Sequence, residues 1–297
     1  TESMTVAEYA AYERAMGAQV AEVGGVFWRR VRPLFYRPLL PFQPLEPSSV
    51  QPPPAARWGG WQCAVSDPGQ ANGAMAFLMF RNAGDYRLDG LEKKRRWEVR
   101  SAAQHFSIHR LGDVEELLPA YEAFVQFQRR TGYVYRADRV RLHRFAEWAH
   151  EIFRHPKIIV LAACENAHLQ AVSILLPVGS TLIYATFFAS DNALRRHVAS
   201  LMLHSVRSLG AQSPGIRQVF VGLRKCGSSA SVDDFYLLRG AEVVVLSMYT
   251  HLHPLAAWSL KRFRPDLMRR IMGARPSADR VATTWPDAAA RMHLGGA

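Results

Sequence analysis

Residues 157–189 read KIIVLAACENAHLQAVSILLPVGSTLIYATFFA. Three apolar runs stand out: Lys157–Cys164, Leu169–Pro177 and Thr181–Ala189. Each is strand-sized, and only the polar turns Glu165–His168 and Val178–Ser180 separate them. Turns that short join antiparallel neighbours, so the spacing predicts a three-stranded meander. The period then changes. Asn192–Leu209 reads as a helix with Asp191 or Asn192 as its cap, and Arg217–Leu223 as a strand. Ser231–Leu238 reads as a short helix closed by Gly240, and Glu242–Met248 as a last strand. The fold class that follows is α+β.

Working outward, two helices precede the meander, Val114–Arg130 and Arg139–Arg154. Arg129–Arg136 joins them and is basic and aromatic. Phe106–Arg110 alternates like a short strand, and Leu88–Gln104 is a basic helix. Trp58–Val65 and Gly73–Arg81 read as a hairpin across Ser66–Asn72. Val26–Leu40 holds Pro33 and Pro38 and reads as strands. Met4–Gln19 is a helix with Thr5 and Glu8 at capping-box spacing. Beyond the last strand, His253–Arg264 and Asp266–Met272 are helical pieces split by Pro265.

The chain has 297 residues, 49% apolar and 21% charged, which excludes disordered and fibrous classes. No apolar run reaches the roughly 18 residues of a membrane span. The N-terminus lacks a basic-then-apolar leader pattern, and Cys63, Cys164 and Cys226 form neither a disulfide framework nor a CxxC site. A cytoplasmic protein is the expectation. Lys and Arg total 37 against 25 Asp and Glu, and 32 of the 37 are Arg. Arg pairs bidentately with phosphate and carboxylate, so an anionic partner is implied wherever Arg clusters. The same bias also follows from a GC-rich coding sequence.

The residues narrow this further. Ser231-Val232-Asp233-Asp234-Phe235-Tyr236-Leu237-Leu238-Arg239-Gly240 resembles the S-L-D-x-F-K-x-x-R-G element of the FemAB-like (Fem-type) transferases. Leu91–Gln104, LEKKRRWEVRSAAQ, resembles the helix between the two lobes of those enzymes. The resemblance implies two lobes with the fold of the GNAT acyltransferase superfamily, each a mixed, mostly antiparallel sheet flanked by helices. It divides the chain into a degenerate N-terminal lobe, 1–110, a C-terminal lobe, 111–273, and a loose tail, 274–297. It implies transfer of an aminoacyl or acyl group from an activated carrier onto an amine, the acceptor being a small molecule or a peptide.

The chain departs from the family at two points. Tyr236 stands where the family has a Lys associated with acceptor phosphate, and a Tyr brings no charge. The acetyl-CoA members carry a glycine-rich loop matching Phe187–His197, and this window has no glycine. That favours aminoacyl-tRNA as the co-substrate, with acyl-CoA or an acidic acyl-carrier protein as the alternative donor. A non-catalytic module that binds RNA or an anionic surface is a third reading. No tightly bound cofactor is expected.

Acyl transfer needs a held donor, a deprotonated amine and a stabilised oxyanion. Candidate catalytic residues are Asp233, Tyr184 and Tyr236, with Tyr249 a further proton donor. Candidate phosphate or substrate contacts are Arg239, Arg195 and Arg196, the basic helix residues Arg95, Arg96 and Arg100, and Tyr133 and Tyr135. Each also has an ordinary use: Asp233 as a helix cap, the tyrosines in packing, the basic helix as a solvated face. His204 reads as a core histidine. His251 and His253 have no carboxylate or Cys near them in sequence, so no metal is expected. Cys226, directly after Arg224 and Lys225, is a remote candidate nucleophile.

Overall fold

The meander forms as its turns dictate. In a computed structural model describing residues 2–132, 137–224 and 230–273, its strands are β7 (Ile159–Glu165), β8 (His168–Val178) and β9 (Thr181–Ala189). Asn166 and Ala167 join β7 to β8, both with positive φ (48° and 67°). That is the geometry whose twist matches a two-residue hairpin. Gly179, at φ 54°, serves the β8–β9 turn.

Eight further strands extend this meander into one sheet: β1 (Val20–Val23), β2 (Val26–Arg32), β3 (Phe35–Pro38), β4 (Gly60–Ala64), β5 (Gly73–Phe80), β6 (Ser107–Leu111), β10 (Gln218–Leu223) and β11 (Glu242–Leu252). The order is β1-β2-β3-β4-β11-β5-β10-β9-β8-β7-β6. Pairing is antiparallel except at β9–β10 and β3–β4.

The hairpin expected of Trp58–Val65 and Gly73–Arg81 does not form. β11 enters between the two strands and pairs antiparallel with both, Tyr249 opposite Cys63 and Val245 opposite Ala76. The connecting loop crosses β11 and is fastened to it. The Asn72 side chain donates to the Thr250 carbonyl and accepts from its N–H, each at 2.8 Å. β11 is also longer than its apolar stretch suggested, because Thr250 continues the buried alternation of Val244, Leu246 and Met248.

The helices are α1 (Val6–Ala15), α2 (Lys93–Ala103), α3 (Val114–Leu117), α4 (Tyr121–Thr131), α5 (Leu142–Phe153), α6 (Asp191–Arg195), α7 (Val198–Gln212), α8 (Ala230–Leu237), α9 (Pro254–Phe263) and α10 (Pro265–Met272). The Thr5–Glu8 capping box closes α1 as its spacing predicts. Two expected helices are broken. Pro119 lacks an N–H, and a tight turn over Leu118–Ala120 separates α3 from α4. His197, at φ 64°, separates α6 from α7. The cap of α6 is Ser190, one residue before the expected Asp191, and its Oγ accepts from the Ala193 N–H.

Each face of the sheet carries a core. On one side Phe124, Phe145, Trp148 and Ile152 of α4 and α5 cover Val172, Ile174 and Phe188. On the other, α2, α7 and α8 cover Leu175, Leu182, Tyr184 and Val219. Trp28, Trp61 and Cys63 form a smaller third cluster. Among the described residues, no helix is long and apolar enough to cross a membrane.

Candidate active site

β9 and β10 run side by side only briefly. Their parallel pairing covers Thr181–Ile183 opposite Gln218–Phe220 and then ends. β9 bulges against β8 at Ala185, between the Tyr184 and Thr186 pairs. β10 bulges against β5 between Phe220 and Gly222. Gly222 has φ 145°, which a residue with a side chain rarely adopts. Bulges bend and twist their strands, so the two part into a V. The exposure pattern agrees. Ala185 is exposed and Thr186, Phe187, Val221 and Gly222 are half-buried, although both strands lie inside an eleven-stranded sheet.

Tyr184 stands at the apex, the first residue past the last pair. Its hydroxyl shares a 3.0 Å hydrogen bond with Ser173 Oγ. Tyr236 of α8 meets it edge-on, ring centres 6.4 Å apart. Asp233, buried and three residues earlier on α8, lies on the same helix face as Tyr236. Burial raises the Tyr184 pKa well above its ordinary value, and the neighbouring Tyr236 adds to this. Burial also pushes Tyr236 up to about 12, reinforced by the charge of Asp233. Both hydroxyls therefore keep their protons at neutral pH and serve as donors. The three candidate catalytic residues thus come together at one point.

Arg239 is engaged elsewhere. Its Nη2 donates to Glu98 Oε2 at 2.5 Å and to Ser200 Oγ at 2.9 Å, and Ser200 Oγ donates to Glu98 Oε2 at 3.0 Å. The other carboxylate oxygen of Glu98 takes Arg95 at 2.5 Å. Arg239 Nη1 donates to the Phe235 carbonyl, and its guanidinium lies 3.8 Å from the centre of the Phe235 ring. Arg239 and Glu98 are both buried, so this ion pair joins the Leu91–Gln104 helix to the Ser231–Gly240 element. Beside it, Arg207 lies on the Tyr86 ring and donates to the Arg239 carbonyl. His204 Nδ1 shares a 2.8 Å hydrogen bond with Tyr86 Oη, and burial holds its pKa below the ordinary value. The cavity among these residues is about 10 Å³, room for one water and no substrate.

The sequence reading missed Glu98, Ser200 and Ser173. The signal for Glu98 was its neighbours: Val99 and Ala102 mark that side of α2 as buried.

The remaining arginines divide by exposure. Arg195 and Arg100 are exposed, Arg100 reaching Asp89 at 3.4 Å. Arg196 is paired with Glu165 at 2.6 Å and lies against the Phe106 ring. Arg96 caps the carbonyls of Asp89 and Leu91. The start of α6, in the window matched to the glycine-rich loop of the acetyl-CoA members, is occupied by the chain's own groups. Ser190 takes the Ala193 N–H, Gln126 takes the Asp191 N–H at 2.9 Å, and Arg130 pairs with the Asp191 carboxylate. Tyr133, Tyr135, Cys226 and the tail 274–297 lie outside the described residues. Among the described residues, no group of three His, Cys, Asp or Glu could hold a metal. His251 stacks on Trp61, and His253 caps α9.

The fold has counterparts among solved structures. FemX superposes with a TM-score of 0.58 at 10% identity, over 86% of this chain and 92% of its own. The chain has the Fem-type fold. The C-terminal domain of a protein assigned as a lysylphosphatidylglycerol synthetase, from Agrobacterium fabrum, superposes at 0.55 and 11% identity, over 92% and 93%. A tandem GNAT protein from the clavulanic acid biosynthesis pathway aligns over 79% of this chain and 82% of its own, with 11% identity and a TM-score of 0.44. No protein-family model and no curated protein matches the sequence. The Fem-type fold expected from the two motifs is observed, with the sheets expected of two lobes joined into one eleven-stranded, mostly antiparallel sheet flanked by helices.

Proposed function

We propose that this chain is an acyltransferase of the Fem type, moving an aminoacyl or acyl group from an activated carrier onto an amine. The observation that carries this reading is the V between β9 and β10, with two protonated tyrosine hydroxyls at its apex. Beyond Ile183, the edge of β9 that faces β10 has no strand partner among the described residues. An extended acyl donor lies along such an edge as an added strand would. The amine attacks the donor carbonyl, and the new oxyanion accepts a hydrogen bond from Tyr236 or Tyr184. The bond to the carrier then breaks, and its oxygen or sulfur leaves with the proton that Asp233 has taken from the amine.

We favour aminoacyl-tRNA as donor. The N–H groups at the start of α6 are already taken by Ser190 and Gln126, which leaves little for a CoA pyrophosphate. Exposed Lys93, Lys94, Arg100, Arg129 and Arg195 offer phosphate contacts instead. Arg239 we assign to positioning, because Glu98 neutralises it; it holds the tyrosine helix in place.

The test is retention of total tRNA by the purified protein across a salt series, with CoA and acyl-CoA as competitors. Retention that weakens steeply with salt and ignores CoA supports the tRNA donor. Saturable acyl-CoA binding without tRNA retention moves the donor to a thioester.

A further inference from the structure

The most exposed apolar side chains are not scattered. Trp58, Leu255, Trp258 and Phe263 are 70%, 71%, 62% and 64% exposed, and Leu34 is 43% exposed. They gather where the β2–β3 turn, the approach to β4 and helix α9 meet. Gly59 rests directly on Leu34, with no room for a side chain between them. The Gly60 N–H donates to the Leu34 carbonyl and the His253 N–H to the Gly59 carbonyl, each at 3.0 Å. The Trp58 ring lies 5.9 Å from His253, the residue that caps α9. Along α9, Leu255 and Trp258 are three residues apart and share a face, and Trp258 meets Phe263 edge-on at 5.8 Å. Leu34 holds φ 58°, a left-handed conformation that is strained for a leucine, yet its side chain stays outside.

The charge around these residues is predominantly positive. Arg30, Arg32 and Arg57 are exposed on the strand side, and Lys261, Arg262, Arg264, Arg269 and Arg270 on α9 and α10. Asp266 is the only acidic residue in 254–273, and it pairs with Arg264 at 3.6 Å. Residues 28–45 and 52–66 contain no acidic residue. Large aromatic groups in water, ringed by cations, have the composition of a surface that enters a bilayer interface.

We infer that this end of the molecule docks on an anionic phospholipid membrane. Leu34, Trp58, Leu255, Trp258 and Phe263 enter the headgroup–acyl boundary, and the surrounding Arg and Lys lie against the lipid phosphates. Indoles favour that boundary. An RNA surface is the weaker fit, because Leu34 and Leu255 offer a base no ring to stack on. The inference does not depend on the donor or on the reaction. A transferase held there works on substrates at the membrane surface.

The experiment is co-sedimentation of the full chain with vesicles of phosphatidylcholine alone and of phosphatidylcholine mixed equally with phosphatidylglycerol. The mixed vesicles should retain the protein, less so as salt rises, and phosphatidylcholine alone should retain much less. Leu255→Ser with Trp258→Ser should lower partitioning about tenfold or more, and Lys261→Glu with Arg262→Glu comparably. All four side chains are exposed, so the variants should melt like the parent. No retention by mixed vesicles overturns the inference. So does retention that both double variants leave unchanged. Binding of tRNA without vesicles, lost in the charge variant alone, assigns the surface to RNA. Self-association lost in the apolar variant, without vesicle binding, assigns it to a second copy. The readout needs no turnover, so its failure leaves the transferase reading untouched.

Discussion

Glu98→Gln should be among the most damaging single-atom-scale changes in this protein. The carboxylate is buried and faces two guanidinium groups, Arg95 and Arg239, each at 2.5 Å, with Ser200 at 3.0 Å. The amide keeps the shape and removes the charge. Two cations then face each other across a neutral group, and Arg239 is too buried to turn to water. Breaking a buried pair from one side costs about 3–5 kcal/mol. For a chain of this size that lowers the melting temperature by roughly 10 °C. Removing both charges should cost much less, because no buried ion is then left alone; Arg95 has some exposure and can turn outward. Denaturant unfolding of Glu98→Leu, Arg239→Met and the double variant supplies the cycle. We expect a coupling of about 2 kcal/mol or more. A Glu98→Gln cost under about 1 kcal/mol, or single costs that simply add, would refute the reasoning.

Three further outcomes are expected. Tyr184→Phe removes the apex hydroxyl and should lower kcat about 100-fold or more, while the melting temperature falls by an amount matching about 1 kcal/mol; unchanged turnover would remove Tyr184 from the site. Ser190→Ala should cost about 1 kcal/mol by uncapping α6, read by thermal unfolding, and Ser190→Gly only a few tenths. Glu8 pairs with Lys157 and accepts from Thr5, which lowers its pKa from 4.5 to about 2. A depressed carboxylate stabilises the fold above its unfolded pKa, and that stabilisation is lost as pH falls from about 4.5 through about 2. Glu8→Gln should therefore melt earlier at neutral pH and converge with the parent in acid; a gap independent of pH would show that the pair contributes nothing.

Local chemistry made much of this fold legible. The meander, the capping box of α1 and the α8–β11 unit follow from runs, turns and caps that neighbouring residues decide. The failures share a different cause. Trp58–Val65 and Gly73–Arg81 satisfy every local rule for a hairpin, yet the partner of each is a strand roughly 170–190 residues away. Nothing in a short window reports that. The bulge at Ala185 and the left-handed His197 are set by tertiary packing, so the runs around them read as uninterrupted. Asp233 and Tyr236 were singled out by motif position and Tyr184 by residue type, and the fold sets the two tyrosine rings side by side. Glu98 was hidden in a run of five basic residues that resembles a solvated face, and only its burial separates it from Glu92.

The placement of β11 bears on how the chain is made. A ribosome emits β4 and β5 long before Glu242–Leu252, so while the intervening residues are made these two apolar strands wait with facing edges unpaired. Such edges are templates for the wrong partner. The sheet can close only after Leu252 has emerged, and a closure spanning so much sequence is slow. A nascent chain halted after Gly240 holds an incomplete sheet with β1–β4 stranded, which makes it a client for chaperones rather than a smaller folded unit.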